Sequence, residues 1–355
     1  MSKTLENLRY PAADWATRSE HWIAQQEFQA ERRNRRERPK QPLILCGHGM
    51  SLRVENGALA IRDGFTHYPQ AQARHRFFPG HRNIPRRILV LDGSGTLSFA
   101  VLQWCAEQQV ALARVSWDGS VTAMAGGSGF AADQAKVDWQ RETRADNAKR
   151  LAFSSALIAR KFAGCLDVLS SRVPPSRKCD LAITKHQEGI ATLRSGLLSD
   201  VNDIRGIEGQ CASNYFLAWQ GLELRWTGKG DIPPNWQRYE TRSTLAKSGS
   251  KPTNYAASHP INAMLNYALA VRLSTVQINA AAEGYDVRLG IFHNGKNGNA
   301  AYAFDLIEPE RPKAEAAILE LVRDKDFSAA DFVLREDGVC RLTPQLARLV
   351  ARLVA

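Results

Sequence analysis

The sequence predicts an α+β protein: an N-terminal β-rich domain over residues 42–129, then a larger all-α domain over 130–355, with a basic helical arm at 1–41. From Pro42 the chain reads as short apolar runs separated by glycine turns. After the glycines at 126, 127 and 129 the apolar spacing lengthens to the three-and-four pattern of amphipathic helices. A length of 355 residues with 44% hydrophobic residues suffices for two buried cores.

Residues 1–40 are polar, with Trp15, Trp22, Ile23 and Phe28 partly at helical spacing, and they close in ERRNRRERPK. The five arginines and one lysine of that end (residues 31–40) suit either phosphate contact or a solvated linker.

In the β-rich part, strands are expected at 43–46, 51–54 and 58–62, with Asn56-Gly57 marking a hairpin. Residues 65–91 hold Arg74, Arg76, Arg82, Arg86 and Arg87 and no acid, which predicts a loop facing DNA. RILVLDG (87–93) reads as a buried strand, 95–108 as a helix and 110–119 as a further strand and turn. Gly-Ser-Gly at 93–95 lacks both the dinucleotide fingerprint and a GK[ST] ending, so a tight strand-to-helix turn is the better account than a phosphate loop.

Residues 134–172 predict a long amphipathic helical segment, with room for a break, that carries Lys136, Arg141, Arg144, Lys149, Arg150, Arg160 and Lys161 on its polar side, and 179–197 predicts a second helix. Ser199 or Asp200 can cap the next, which runs through VNDIRGIEGQCASNYFLAWQGLEL. Its stripe of Ile204, Ile207, Cys211, Tyr215, Ala218 and Leu222 leaves Glu208 bordering the apolar face. A carboxylate there needs a partner. A salt bridge to Arg205 and a metal ion are both open. Residues 226–258 predict a mobile loop over the site, with Trp236, Arg238 and Arg242 available for substrate. A helix over 259–284 follows, with Pro260 in its first turn.

The stretch DVRLGIFHNGKNGNAAYAFDLIEPERP (286–312) carries His293 into an Asn- and Gly-rich loop and then presents Asp305 and Glu308. Three residues apart on a helical turn, the two carboxylates share a face. With His293 they could form a mixed N and O site for Mg²⁺, Mn²⁺ or a borderline divalent ion, Glu208 supplying a third ligand. The alternative is a core histidine followed by solvated carboxylates at a helix start.

The formal charge is +11, with a pI near 9.5, which favours a polyanionic partner, nucleic acid ahead of an anionic membrane. No apolar run is long enough to span a bilayer and the N-terminus lacks a signal-peptide core, so a cytoplasmic location is expected. The six scattered cysteines read as reduced core thiols.

In one order, IRGIEGQCASNYF, HPINAMLNYALAV, LGIFHNG and FDLIEPERP resemble the first-numbered CRISPR-associated protein family, the integrase of spacer acquisition. SLRVENGALAIRDG and RILVLDGSGTLSF are similar to that family's β-domain, so the likeness spans roughly Pro42 to Leu353. It implies a metal-dependent DNA endonuclease and integrase with Glu208, His293 and Glu308 as ligands, Asp305 as a supporting acid, and Asn262 and Asn266 behind the site. It further implies Mg²⁺ or Mn²⁺, a homodimer built through the β-domains, and a small second-numbered partner protein. Arg74, Arg76, Arg82, Arg238, Arg242, Lys296 and Arg311 are the candidate DNA contacts. Glu310 departs from the aromatic common after EP in the family. A transposase-like or repair nuclease on the same scaffold is the alternative. Transposon-borne relatives often add a C-terminal DNA-binding module, and a chain ending at Ala355 without one is expected to disfavour that alternative.

Overall fold

A computed structural model of the protein describes residues 12–28, 38–39, 41–67, 70–116, 121–126, 132–228, 231–242, 256–295 and 300–354. Helix α1 (Ala12–Phe28) precedes strands β1 (Leu43–Glu55), β2 (Ala58–Arg62), β3 (Arg74–Phe77) and β4 (Arg87–Leu97), helix α2 (Phe99–Glu107), and strands β5 (Ala111–Val115) and β6 (Val121–Ala125). The helical part comprises α3 (Gln134–Ala145), α4 (Asn147–Ser171), α5 (Arg177–Arg194), α6 (Val201–Ala218), α7 (Pro260–Ala282), α8 (Ala301–Ile307), α9 (Arg311–Asp324) and α10 (Pro344–Val354). The expected β-rich part followed by a mostly helical part is therefore what the chain builds. The helical part also holds two small two-stranded sheets, β7 (Arg225–Trp226) with β8 (Asp326–Phe327), and β9 (Phe332–Leu334) with β10 (Cys340–Leu342).

The six strands form one mixed sheet in the order β3-β2-β1-β4-β5-β6, with β1, β4 and β5 parallel. Asn56 and Gly57 both take positive φ, 50° and 75°, and turn β1 into β2 as their pairing predicts. Strand β4 runs further than expected, and α2 starts only at Phe99. The reason lies in the glycines. A Cβ on Gly93 would lie 1.9 Å from the Gly47 carbonyl oxygen, and one on Gly95 would lie 2.3 Å from that of Met50, so these glycines let β1 and β4 close together.

Alternation along the strands gives the sheet two apolar faces. Leu45, Leu52, Ile88 and Leu112 pack towards α2. Ile44, Cys46, Leu89, Ala113 and Val115 belong instead to the large core shared with α7, α9 and α10. The sheet and the helical part thus share a continuous core. All six cysteines are buried and unbonded. Among the described residues no helix is long and apolar enough to cross a membrane.

The first helix differs from a projecting arm. Trp22 is fully buried in the large core, and its indole N–H donates to Asp331 at 2.9 Å. Arg18 grips the same carboxylate through Nε and Nη2, each at 2.9 Å, and Gln26 donates to the Gln345 carbonyl. The apolar tryptophans at helical spacing signalled a buried face, and its partner is the C-terminal segment. Of the basic end, residues 31–37 and Lys40 lie outside the described residues. Arg38 is committed to the carbonyls of Ile84, Pro85 and Gln108.

The segment expected as a loop over the site also differs where it is described. Trp236 is fully buried and stacks on Trp226, with its N–H donating to the Ser258 carbonyl at 2.8 Å. Residues 243–255 lie outside the described residues.

Candidate active site

The long helical segment breaks at Asp146, whose side chain caps α4 by accepting from the Lys149 N–H. From there α4 runs beside α5, α6 and the turn 308–310. Helix α6 starts at a capping box of Asp200 and Asp203, which positions Glu208 two turns in. Helix α8 leads through the turn 308–310 directly into α9, with Pro309 and Pro312 at positions where a missing N–H is harmless.

The loop 290–293 is held from both sides. Asp305, which is fully buried, accepts the backbone N–H groups of Ile291 (2.6 Å), Phe292 (3.1 Å) and His293 (2.8 Å). The carbonyls of Gly290, Ile291 and Phe292 accept in turn from Arg144, Arg150 and Arg205. Arg205 therefore spends its charge on the loop and on Asn202, and does not pair with Glu208. Gly290 is required, since a Cβ there would lie 2.6 Å from the His293 carbonyl oxygen.

Asp305 Oδ1 also lies 2.8 Å from His293 Nδ1. A carboxylate oxygen accepts, so Nδ1 carries a proton and Nε2 is the ring nitrogen left free of Asp305. The ring lines a cavity of about 560 Å³ together with Glu208 and Glu308. Three of the four predicted site residues thus meet at one cleft, and the fourth orients the imidazole from behind.

Between the two glutamates stands Lys161. Its Nζ is 2.5 Å from Glu208 Oε1 and 2.6 Å from Glu308 Oε2, with 11% of its side chain exposed. The second contact is a close ion pair. Arg311 Nη1 stands 3.3 Å from Glu308 Oε1. Burial by itself would raise the Glu308 pKa, but Lys161 and Arg311 outweigh it and hold the carboxyl down at about 2. Burial likewise opposes the Lys161 charge, yet Glu308 and Glu208 raise its pKa.

Lys161 does not lie on the polar side of α4. Its neighbours one turn away, Leu157 and Cys165, are buried, and that placement was a readable signal that this lysine faces inward. Glu315 is a second residue that sequence reasoning missed. It is buried on the same face of α9 as Ile318 and Leu319, it lines the cleft, and burial raises its pKa.

The cationic candidates divide. Arg74 and Arg76 stand exposed on the edge strand β3, and Arg82 is exposed beyond it, so the expected loop is in part a strand. Arg238 is exposed. Arg242 is buried rather than presented on a loop: it donates to Asn266 Oδ1 at 2.8 Å, and burial lowers its pKa to about 10. Arg311 is engaged with Glu308, and Lys296 lies outside the described residues.

The donor set of two carboxylates and an imidazole suits a hard divalent ion. Among the described residues, however, no three of His, Cys, Asp and Glu are gathered closely enough to hold a metal as they stand, and the ammonium of Lys161 bridges the two glutamates.

Fold and cleft together define an α+β protein with a mixed sheet joined to a helical body that carries paired carboxylates and buried cations. A sequence model of the family described as "CRISPR associated protein Cas1" matches residues 43–355, and the chain belongs to that family. A Cas4 exonuclease/Cas1 endonuclease fusion of Geobacter sulfurreducens is 25% identical over 265 residues, covering 72% of this chain and 43% of the fusion. The chain thus spans less than half of that relative's length. Among solved structures, a casposase bound to integration product shares the fold with a TM-score of 0.69 at 22% identity, covering 88% of this chain and 81% of the casposase. A Cas6-RT-Cas1–Cas2 complex does so with a TM-score of 0.65 at 15% identity, covering 92% of this chain and 33% of the other.

Proposed function

We propose that the protein is a metal-dependent DNA endonuclease and integrase that inserts DNA fragments as new spacers into a CRISPR array, by attack of a fragment's 3′-OH on repeat phosphodiesters. The observation that carries this reading is the meeting of Glu208, His293 and Glu308, from three separate parts of a Cas1-family chain, at one cleft. These three residues would hold Mg²⁺ or Mn²⁺, which when bound supplies positive charge to the attacked phosphate and activates the attacking hydroxyl.

The chain's own residues prepare the site. Asp305 fixes the His293 tautomer and its loop, while the arginines on the 290–292 carbonyls keep that loop from drifting. Arg311 and Lys161 keep Glu308 ionised at any physiological pH. The exposed arginines of β3 would contact phosphates and position DNA without reading sequence. A homodimer through the β-rich part and a small Cas2-type partner complete the reading. They rest on the family resemblance and, for Cas2, on the complex that shares the fold.

The test is strand transfer of a labelled fragment into repeat DNA. Glu208→Gln, His293→Ala and Glu308→Gln should each abolish it and metal-dependent nicking, while DNA affinity stays close to wild type. Full activity in any one would remove that residue from the site. The casposase fold likeness favours a second reading, a transposase-like nuclease acting outside a CRISPR locus. Transfer into unrelated duplexes at the same rate as into repeats would select it.

A further inference from the structure

We infer that Lys161 is a tethered counter-cation of the cleft, an ammonium that holds Glu208 and Glu308 together and gives up its place when a divalent ion binds. This rests on the metal-site reading above. Its Nζ contacts one oxygen of each glutamate, at 2.5 and 2.6 Å, and the two glutamates come from elements a hundred residues apart in sequence. An ion held by both carboxylates would compete with the ammonium for their negative charge and for the space between them. Ammonium and divalent ion therefore exclude one another, and the affinity measured for the ion is its intrinsic affinity reduced by the strength of the lysine contacts.

The side chain is suited to such an exchange. Lysine carries a compact charge on a flexible four-carbon stem, unlike the rigid fork of arginine. The Glu208 contact is a hydrogen bond and the Glu308 contact a close ion pair, so a single flexible side chain makes both links across the cleft. Lys161 lines the cavity of about 560 Å³, which gives its side chain somewhere to go. Until the ion arrives, the ammonium offsets the repulsion that would otherwise push two facing carboxylates apart, keeping the ligands near each other.

The experiment measures Mn²⁺ binding to the full chain by calorimetry and by electron paramagnetic resonance, without DNA. Lys161→Met keeps the stem and removes the competitor, so it should bind Mn²⁺ roughly ten- to a hundredfold more tightly, the scale of one missing charged hydrogen bond. Lys161→Arg should bind no more tightly than wild type. Unchanged or weaker binding by Lys161→Met would overturn the inference. A measurement on the unaltered chain covers the case in which that variant does not fold. Lys161 should resist reductive methylation without Mg²⁺ and become modified with it, read by mass spectrometry, and equal protection in both states counts against displacement. Glu308→Gln separates the two levels. If wild type binds Mn²⁺ and Glu308→Gln does not, unchanged binding by Lys161→Met sinks only the lysine exchange. If Glu308→Gln binds as wild type does, the metal site itself is wrong and the exchange falls with it.

Discussion

Asp305 Oδ1 accepts both the backbone N–H and the Nδ1–H of His293, each at 2.8 Å, so one buried oxygen sets the loop and the imidazole together. The other oxygen accepts from Ile291 and Phe292. Removing this carboxylate acts on structure and chemistry at once.

Asp305→Ala should strand the buried N–H groups of Ile291 and Phe292, at a cost of about 1–3 kcal/mol each, and release the half-buried N–H of His293, visible in denaturant unfolding. It should also weaken Mn²⁺ binding roughly 10- to 100-fold, because His293 loses the partner that orients it. His293→Ala should lose the binding without the stability. Equal stability of the two variants would show that the loop does not depend on Asp305.

Acid should weaken the fold through His259, which caps α7 by accepting the Ile261 N–H. Burial lowers its pKa from 6.5 to about 4, only partly offset by the Trp236 backbone. Between those values the unfolded chain binds the proton and the folded one does not, so stability is fully present above pH 6.5 and falls as pH drops towards 4. The loss should total about 3 kcal/mol at roughly 1.4 kcal/mol per pKa unit. His259→Asn keeps a capping acceptor and should flatten this part of the stability–pH curve. An unchanged slope would assign the acid sensitivity elsewhere.

The docking of α1 predicts that Asp331→Ala costs about 3–5 kcal/mol, because it leaves Arg18 buried without its carboxylate. The double change Arg18→Met with Asp331→Ala should recover part of that loss. Deleting residues 1–40 removes Trp22 from the core as well, so the basic end is better tested by substituting Arg32, Arg33, Arg35 and Arg36. If Asp331→Ala unfolds at the wild-type denaturant concentration, the helix is an accessory after all.

Replacing Arg74, Arg76 and Arg82 with serine should weaken DNA binding equally for unrelated sequences and flatten the slope of log K against log salt by up to about 0.9 for each phosphate no longer neutralised. Arg242→Ala should instead act through folding, since that guanidinium is buried against Asn262 and Asn266. A salt slope identical to wild type in the triple variant would mark β3 as a surface for something other than DNA.

By itself the sequence determined the passage from a β-rich part to a mostly helical one, the Asn56-Gly57 hairpin and a cap for α6 at Ser199 or Asp200, because each is written in neighbouring residues whose spacing or φ preference is local. It also singled out Glu208, a carboxylate bordering an apolar stripe that must find a partner, and the spacing of His293, Asp305 and Glu308, while their roles as ligands came from the family resemblance. Which partners they find is not a local property. The ammonium between Glu208 and Glu308, the arginines of three helices on the 290–292 carbonyls, and the grip of Arg18 on Asp331 join residues from 47 to 313 positions apart. Periodicity reports that a face is buried but not what lies against it, so the spacing of Leu157, Lys161 and Cys165 can turn the lysine inward but cannot name the carboxylates it meets once α4, α6 and the 308–310 turn are packed together. The tertiary structure alone decided that, because a buried charge is tolerated only where the fold brings its opposite within contact.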